Sequence, residues 1–160
     1  MARLGKGIGL EVVAWNRSPV ADAPVPMLAL DDVLKKSDVL SLHLRLTSDT
    51  RHSITAADLA HMKPTALLVN TARADVIAPG ALVAALRDGR PGHAAVDVYE
   101  NEPAITPALL DDDRVVLMPH AGSATVETRR EMARMVVEDV RRVLSGEKPL
   151  RPVPPEGGRR

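Results

Sequence analysis

The chain contains no cysteine and no phenylalanine, and Trp15 and Tyr99 are the only large aromatic side chains it has. Without a thiol there is no disulfide, no thiolate nucleophile and no cysteine-ligated zinc, and the composition fits a reducing compartment. A core without phenylalanine has to be assembled from Ala, Val, Leu, Ile and Met. Net charge is also missing: 21 Lys+Arg balance 21 Asp+Glu, so there is no overall electrostatic footprint for nucleic acid or for an anionic membrane. No apolar run approaches a membrane span, and residues 1–20 lack the charged start, apolar middle and small-residue cleavage pattern of a signal peptide. No HExxH-type spacing occurs, so no metal site is expected. These absences predict a soluble, cytoplasmic protein without nucleic-acid or membrane partners.

What is present is enough for a core: 45% of 160 residues are hydrophobic, the scale of one ordinary domain. Strand-like and helix-like segments alternate, the pattern of a parallel α/β sheet. A helix over 2–9 ending at Gly9 feeds the β-run EVVAW (11–15), which stops at Asn16-Arg17-Ser18. A Pro-rich loop leads to a short helix at about 31–36, with Asp31 as its N-cap. DVLSLHL (38–44) is a near-continuous apolar run, as expected of a strand covered on both faces. Thr55 with Asp58 reads as a capping box for a helix over 55–62 that stops before Pro64. There follow a strand ALLVN (66–70), a helix from Pro79 in its first turn to Gly89 past its end, and strands HAAVDVY (93–99) and VVLMP (115–119). The last helix starts near Thr125 and carries Met132, Met135, Val136, Val140, Val143 and Leu144 on one stripe, expected to pack against the domain, with Gly146 as its stop. The predicted organisation is a nucleotide-binding unit over 1–122, a C-terminal helix over 123–150 and a disordered Pro/Gly/charge-rich tail over 151–160.

In an open parallel sheet, ligands bind beyond the carboxyl ends of the strands. Strand 66–70 runs into NTARAD, strand 93–99 into ENEP and strand 115–119 into PHAGSAT, which selects Arg73, Glu102 and His120. An arginine fork can hold a carboxylate and polarise the adjacent carbonyl. An imidazole titrates near neutrality and can pass a proton, and a carboxylate on its other nitrogen would fix the tautomer. This is equipment for interconverting a 2-keto and a 2-hydroxy acid, provided something else carries the hydride. His52, His61 and His93 are expected to be structural or solvent-facing, whereas His43, at the end of a buried strand, could line a cofactor pocket.

The segment LVNTARADVIAPGALVAALRDGRPGHAAVDVYENEP followed by LLDDDRVVLMPHAGSAT strongly resembles the D-isomer-specific 2-hydroxyacid dehydrogenases, and the resemblance extends from about residue 2 to about 150. It implies a Rossmann-like, doubly wound α/β sheet and an NAD(P)-dependent oxidoreductase acting on small 2-keto and D-2-hydroxy acids. It further implies Arg73 as substrate anchor, Glu102 as the partner of the histidine and His120 as the acid/base. Asp97 would lie beside the nicotinamide carboxamide, with Thr71, Ala72 and the segment His120 to Gly122 as neighbours of that end; longer relatives are commonly homodimers. Departures from the family pattern are Ala74 and Asp75 where two glycines are usual, Ala78 where an acid is usual, and Arg45 where proline is common.

NAD-specific members of such folds place an acid after the second strand to bond the ribose hydroxyls. Here Asn16, Arg17 and Ser18 occupy that corner, which predicts a preference for NADP(H) over NAD(H). The Gly-rich turn GxGxxG and the strand before it are expected upstream of Met1, leaving an incomplete sheet and a chain that is inactive or barely active by itself. Alternatives to an enzyme are an inactive fragment and a non-catalytic dinucleotide-binding or regulatory module.

Overall fold

A computed structural model describes residues 1–153, and the chain forms two compact units, Met1–His120 and a second that begins at Ala121. The first unit holds four parallel strands, β1 (Val39–Leu42), β2 (Leu67–Asn70), β3 (His93–Val96) and β4 (Val115–Leu117), in sequential order. Around them lie helices α1 (Ala2–Gly7), α2 (Leu30–Lys36), α3 (Ala56–Leu59), α4 (Ala81–Arg87) and α5 (Pro107–Leu110), with a 3₁₀ turn over Ala74–Val76. The second unit carries α6 (Val126–Leu144). This is a Rossmann-like α/β arrangement.

Strand alternation sets the core. Leu40, Leu42, Leu68, Ala94 and Val96 point to one side of the sheet and are buried there with Leu34 of α2, Leu59 of α3 and Leu82 and Leu86 of α4. Each fully buried aliphatic side chain contributes about 1.5–3 kcal/mol relative to exposure. β1 is therefore not covered on both faces as its apolar run suggested: Val39 is 57% exposed, and so is Val116 of β4 at 61%. The buried residues among those described lie on one side of these strands, so they alternate instead of disappearing on both faces.

Local corrections follow from hydrogen bonding. EVVAW is not a laddered strand; it makes one parallel bridge, Ala14 to Met27, and a strand needs successive partners. α2 begins one residue before Asp31, with Ala29 as its N-cap, because Asp31 sits inside the first turn and bonds Lys35 and His61 instead. The Thr55–Asp58 capping box is present in both directions, although α3 closes at Leu59. α4 starts after Gly80, whose φ is +69°, so Pro79 lies outside it, and Glu100 Oε1 accepts from the Gly80 N–H at 2.9 Å. β3 stops at Val96 because Tyr99 and its neighbours turn away into a loop.

In the second unit, Thr125 caps α6 by accepting from the Thr128 N–H, and Gly146 follows the helix at φ +76°. Within this unit nothing covers the apolar stripe: no residue of α6 is buried, and Met132, Val136, Val140 and Val143 are each more than half exposed. The segment after the helix returns to its polar side, through Arg151 with Glu138 and Asp139, and leaves the stripe uncovered within that unit. Most of the predicted tail, 154–160, lies outside the described residues.

No helix among the described residues is long and apolar enough to cross a membrane.

Candidate active site

The parallel register aligns Leu42, Asn70, Val96 and Leu117 in one row. Chain leaving those positions emerges at a single edge of the sheet, which delivers His43, Thr71 to Arg73, Asp97 to Glu102 and Met118 to His120 there together.

Glu102 and His120 make the central contact. Glu102 Oε2 lies 2.7 Å from His120 Nδ1, and Glu102 Oε1 accepts the Tyr99 N–H at 2.9 Å. The bond to His120 is the main reason the Glu102 carboxyl is held below its ordinary range; the Tyr99 N–H adds to it, partial burial opposes it, and the Arg73 guanidinium contributes last. Arg73 is thus close enough to act electrostatically on Glu102. Its own side chain is exposed, with Nη1 donating to the Ala72 carbonyl at 2.7 Å. His120 has φ +53°, an uncommon left-handed conformation for a non-glycine residue.

Two positioning residues escape a motif search. Asn70 is 2% exposed at the end of β2; its Nδ2 donates to the Arg73 carbonyl and its Oδ1 accepts the Ala72 N–H, both at 3.1 Å. One buried amide therefore fixes the turn Thr71-Ala72-Arg73. Tyr99 Oη donates to the Met118 carbonyl at 2.5 Å and reaches the Val96 carbonyl at 3.2 Å, tying the loop after β3 to the backbone two residues before His120. Burial pushes the Tyr99 hydroxyl above its ordinary value. The available signal was a polar amide ending an apolar strand and a single tyrosine between the two motifs.

Asp97 is buried at the start of the loop after β3, and its N–H donates to the Asn70 carbonyl at 3.0 Å. His43 is exposed just past β1, with Nε2 2.9 Å from Ser41 Oγ. Asp75, one of the departures noted above, is ion-paired with Arg51, and its carbonyl accepts the His52 N–H at 2.7 Å. Gly122 lies in the turn before α6, in the second unit.

Asn16, Arg17 and Ser18 stand apart from the four-stranded ladder and are all exposed. Asn16 Nδ2 donates to the Ser18 carbonyl at 3.0 Å, and Arg17 Nη1 lies 2.7 Å from Asp49 Oδ2.

Residues 1–122 match the family model described as "D-isomer specific 2-hydroxyacid dehydrogenase, NAD binding domain". Over 155 residues the chain is 43% identical to a glyoxylate reductase of Aeropyrum pernix, covering 93% of this chain and 46% of the relative. It is 38% identical over 157 residues to 4-methyl-2-oxopentanoate reductase A of Aspergillus oryzae, covering 96% and 48%. Among solved structures, an NADPH-dependent glyoxylate/hydroxypyruvate reductase of Sinorhizobium meliloti, in complex with NADP and malonate, superposes with a TM-score of 0.85 at 31% identity, covering 95% of this chain and 48% of that one. The chain spans about half the length of the relatives it matches. With its sheet, its strand-end loops and these matches taken together, the chain belongs to the D-isomer-specific 2-hydroxyacid dehydrogenase family and carries residues of that family's NAD-binding domain.

Proposed function

We propose that this chain supplies the cofactor half and the proton-transfer pair of an oxidoreductase that interconverts small 2-keto acids and D-2-hydroxy acids. The observation that carries the proposal is the Glu102–His120 contact at 2.7 Å at the carboxyl edge of the sheet.

The donor set suits the two ends of a nicotinamide dinucleotide. Arg17 and Asn16 carry hydrogen-bond donors at an exposed corner, and Asp97 and the turn Thr71 to Arg73 stand at the edge that holds His120. A GxGxxG turn for the pyrophosphate does not occur in residues 1–160. When bound, the nicotinamide supplies or accepts the hydride.

The chain's own residues handle the substrate and the proton. Arg73 presents a planar fork to the substrate carboxylate and draws charge from the neighbouring carbonyl oxygen. His120, with Nδ1 committed to Glu102, has Nε2 available to give a proton to that oxygen during reduction and to take it back during oxidation. Glu102, bonded to Nδ1, holds the ring in that orientation and fixes which nitrogen faces the substrate. Asn70 and Tyr99 keep Arg73 and His120 on their respective loops.

Asn16-Arg17-Ser18 supports NADP(H) as the preferred cofactor, since a guanidinium pairs with a 2′-phosphate where an acid would repel it. The test is an assay of the protein purified from its own cells, with glyoxylate and hydroxypyruvate as oxidants of NADPH and NADH. Turnover with NADPH is expected to exceed that with NADH, and His120→Asn to lower kcat by about 10²-fold or more. Full turnover in His120→Asn would overturn the acid/base role, and tighter binding of NADH than NADPH would overturn the cofactor preference.

A further inference from the structure

The corner at Asn16-Arg17-Ser18 carries no acid of its own, yet one reaches it from another turn. Asp49 Oδ2 lies 2.7 Å from Arg17 Nη1, across 32 positions of sequence. The two side chains are 57% and 51% exposed, so a ligand can reach both.

The turn that presents Asp49 is braced. Thr50, buried, donates its hydroxyl to the Arg45 carbonyl at 2.6 Å and accepts the Thr47 N–H at 2.8 Å, while the Arg51 N–H donates to the Thr47 carbonyl at 2.9 Å. The Asp49 carboxylate therefore comes from a backbone fixed on both sides of it, and Arg17 is the longer and more adjustable partner.

The same carboxylate has opposite consequences for the two dinucleotides. A 2′-phosphate drawn to Arg17 meets a negative charge already seated on that guanidinium, and must displace it or share it. A ribose with a free 2′-hydroxyl meets an acceptor, the role an acid at the strand end performs in NAD sites. An exposed ion pair of this kind is weak, so the phosphate can compete, at a cost.

We propose that Asp49 is a cofactor-selectivity residue: it competes with the 2′-phosphate of NADP(H) for Arg17 and offers the 2′-hydroxyl of NAD(H) an acceptor, holding the preference for NADP(H) below what Arg17 alone would give. This rests on assigning the Asn16–Ser18 corner to the adenine ribose, as proposed above.

The experiment titrates the 160-residue chain with 2′,5′-ADP and with 5′-AMP, followed by NMR, in the parent and in Asp49→Asn, Asp49→Ser and Arg17→Gln. Asp49→Asn and Asp49→Ser are expected to tighten 2′,5′-ADP about twofold to fivefold at low salt without tightening 5′-AMP, and the gain shrinks as salt rises. Arg17→Gln is expected to erase the preference for 2′,5′-ADP. If Arg17→Gln erases it while both Asp49 variants bind 2′,5′-ADP no more tightly than the parent, the role of Asp49 is overturned and the ribose assignment stands. If the parent shows no preference for 2′,5′-ADP, or Arg17→Gln leaves it intact, the ribose assignment fails and the role of Asp49 falls with it.

Discussion

His120 Nδ1 and Glu102 Oε2 sit 2.7 Å apart although they belong to loops after different strands. Neither loop places its residue by itself. The row of Asn70, Val96 and Leu117 sets where the loops begin, Tyr99 bonds the Met118 carbonyl, and the Tyr99 N–H holds the other oxygen of Glu102. His120 meanwhile keeps a left-handed φ of +53°, a conformation that costs of order 1–3 kcal/mol and persists where surrounding structure over-determines it.

The depressed Glu102 carboxyl makes stability depend on pH in a stated direction. The unfolded carboxyl titrates near 4.5 and the folded one below it, so the unfolded state binds more protons in between and stability falls as pH drops through that window. His120→Asn removes the chief cause of the depression. Urea unfolding followed below about pH 4.5 should show a shallower loss of stability in the variant than in the parent; equal slopes would mean the bond does not hold the carboxyl down in solution.

Tyr99→Phe removes the hydroxyl that bridges the Val96 and Met118 carbonyls and leaves the ring in place. The hydroxyl has one proton, shared between the two carbonyls and held chiefly by Met118, and such a bond contributes about 0.5–1.5 kcal/mol net. The expected outcome is a loss of about 0.5–1.5 kcal/mol in urea unfolding, together with a fall in kcat larger than any rise in KM, because the loosened backbone leads to His120, the proposed proton donor, and not to Arg73, the proposed substrate anchor. Unchanged stability would refute the bridge.

Asn70→Ala should act on the other arm of the site. It strands the Ala72 N–H and the Arg73 carbonyl, which share this one amide, at a cost of about 1–3 kcal/mol. Because the turn it fixes carries Arg73, KM for the keto acid is expected to rise more than kcat falls. A variant with parental KM would show that Arg73 needs no such brace.

The parts of this chain that sequence makes legible are those in which a local rule and the tertiary environment agree. Thr55 and Asp58 form a reciprocal cap because both partners lie within one turn. Arg73, Glu102 and His120 could be singled out because each follows a strand end. EVVAW has strong β-propensity yet forms one bridge, since pairing depends on partners distant in sequence. Asp31 is a favourable capping residue that became an ion-pairing residue when His61 arrived from α3's neighbourhood. Asn70 and Tyr99 resemble ordinary polar residues until the carbonyls they bond are known.

Gly92 offers a test of the fold that does not depend on the chemistry. A Cβ built at this position would lie 2.0 Å from the Pro64 carbonyl oxygen and 3.0 Å from its carbon. The obstacle is backbone, which cannot rotate aside as a side-chain tip would, and it lies where the turn before β3 crosses the turn before β2. Gly92→Ala must therefore push these two turns apart, and the first pairing between the strands, Leu67 with His93, is the one next to them. Overpacking a tight site costs typically 1–3 kcal/mol, about the scale of a core methylene series. The expected result is a destabilisation of at least about 1–3 kcal/mol in urea unfolding, with backbone NMR shifts concentrated at 63–68 and 90–94. The same substitution at Gly7, where nothing lies within 4 Å of the added Cβ, should leave stability equal or slightly raised, since alanine is the better helix former by about 1 kcal/mol. Equal effects at the two glycines would show that the close approach of Gly92 to Pro64 does not exist in solution.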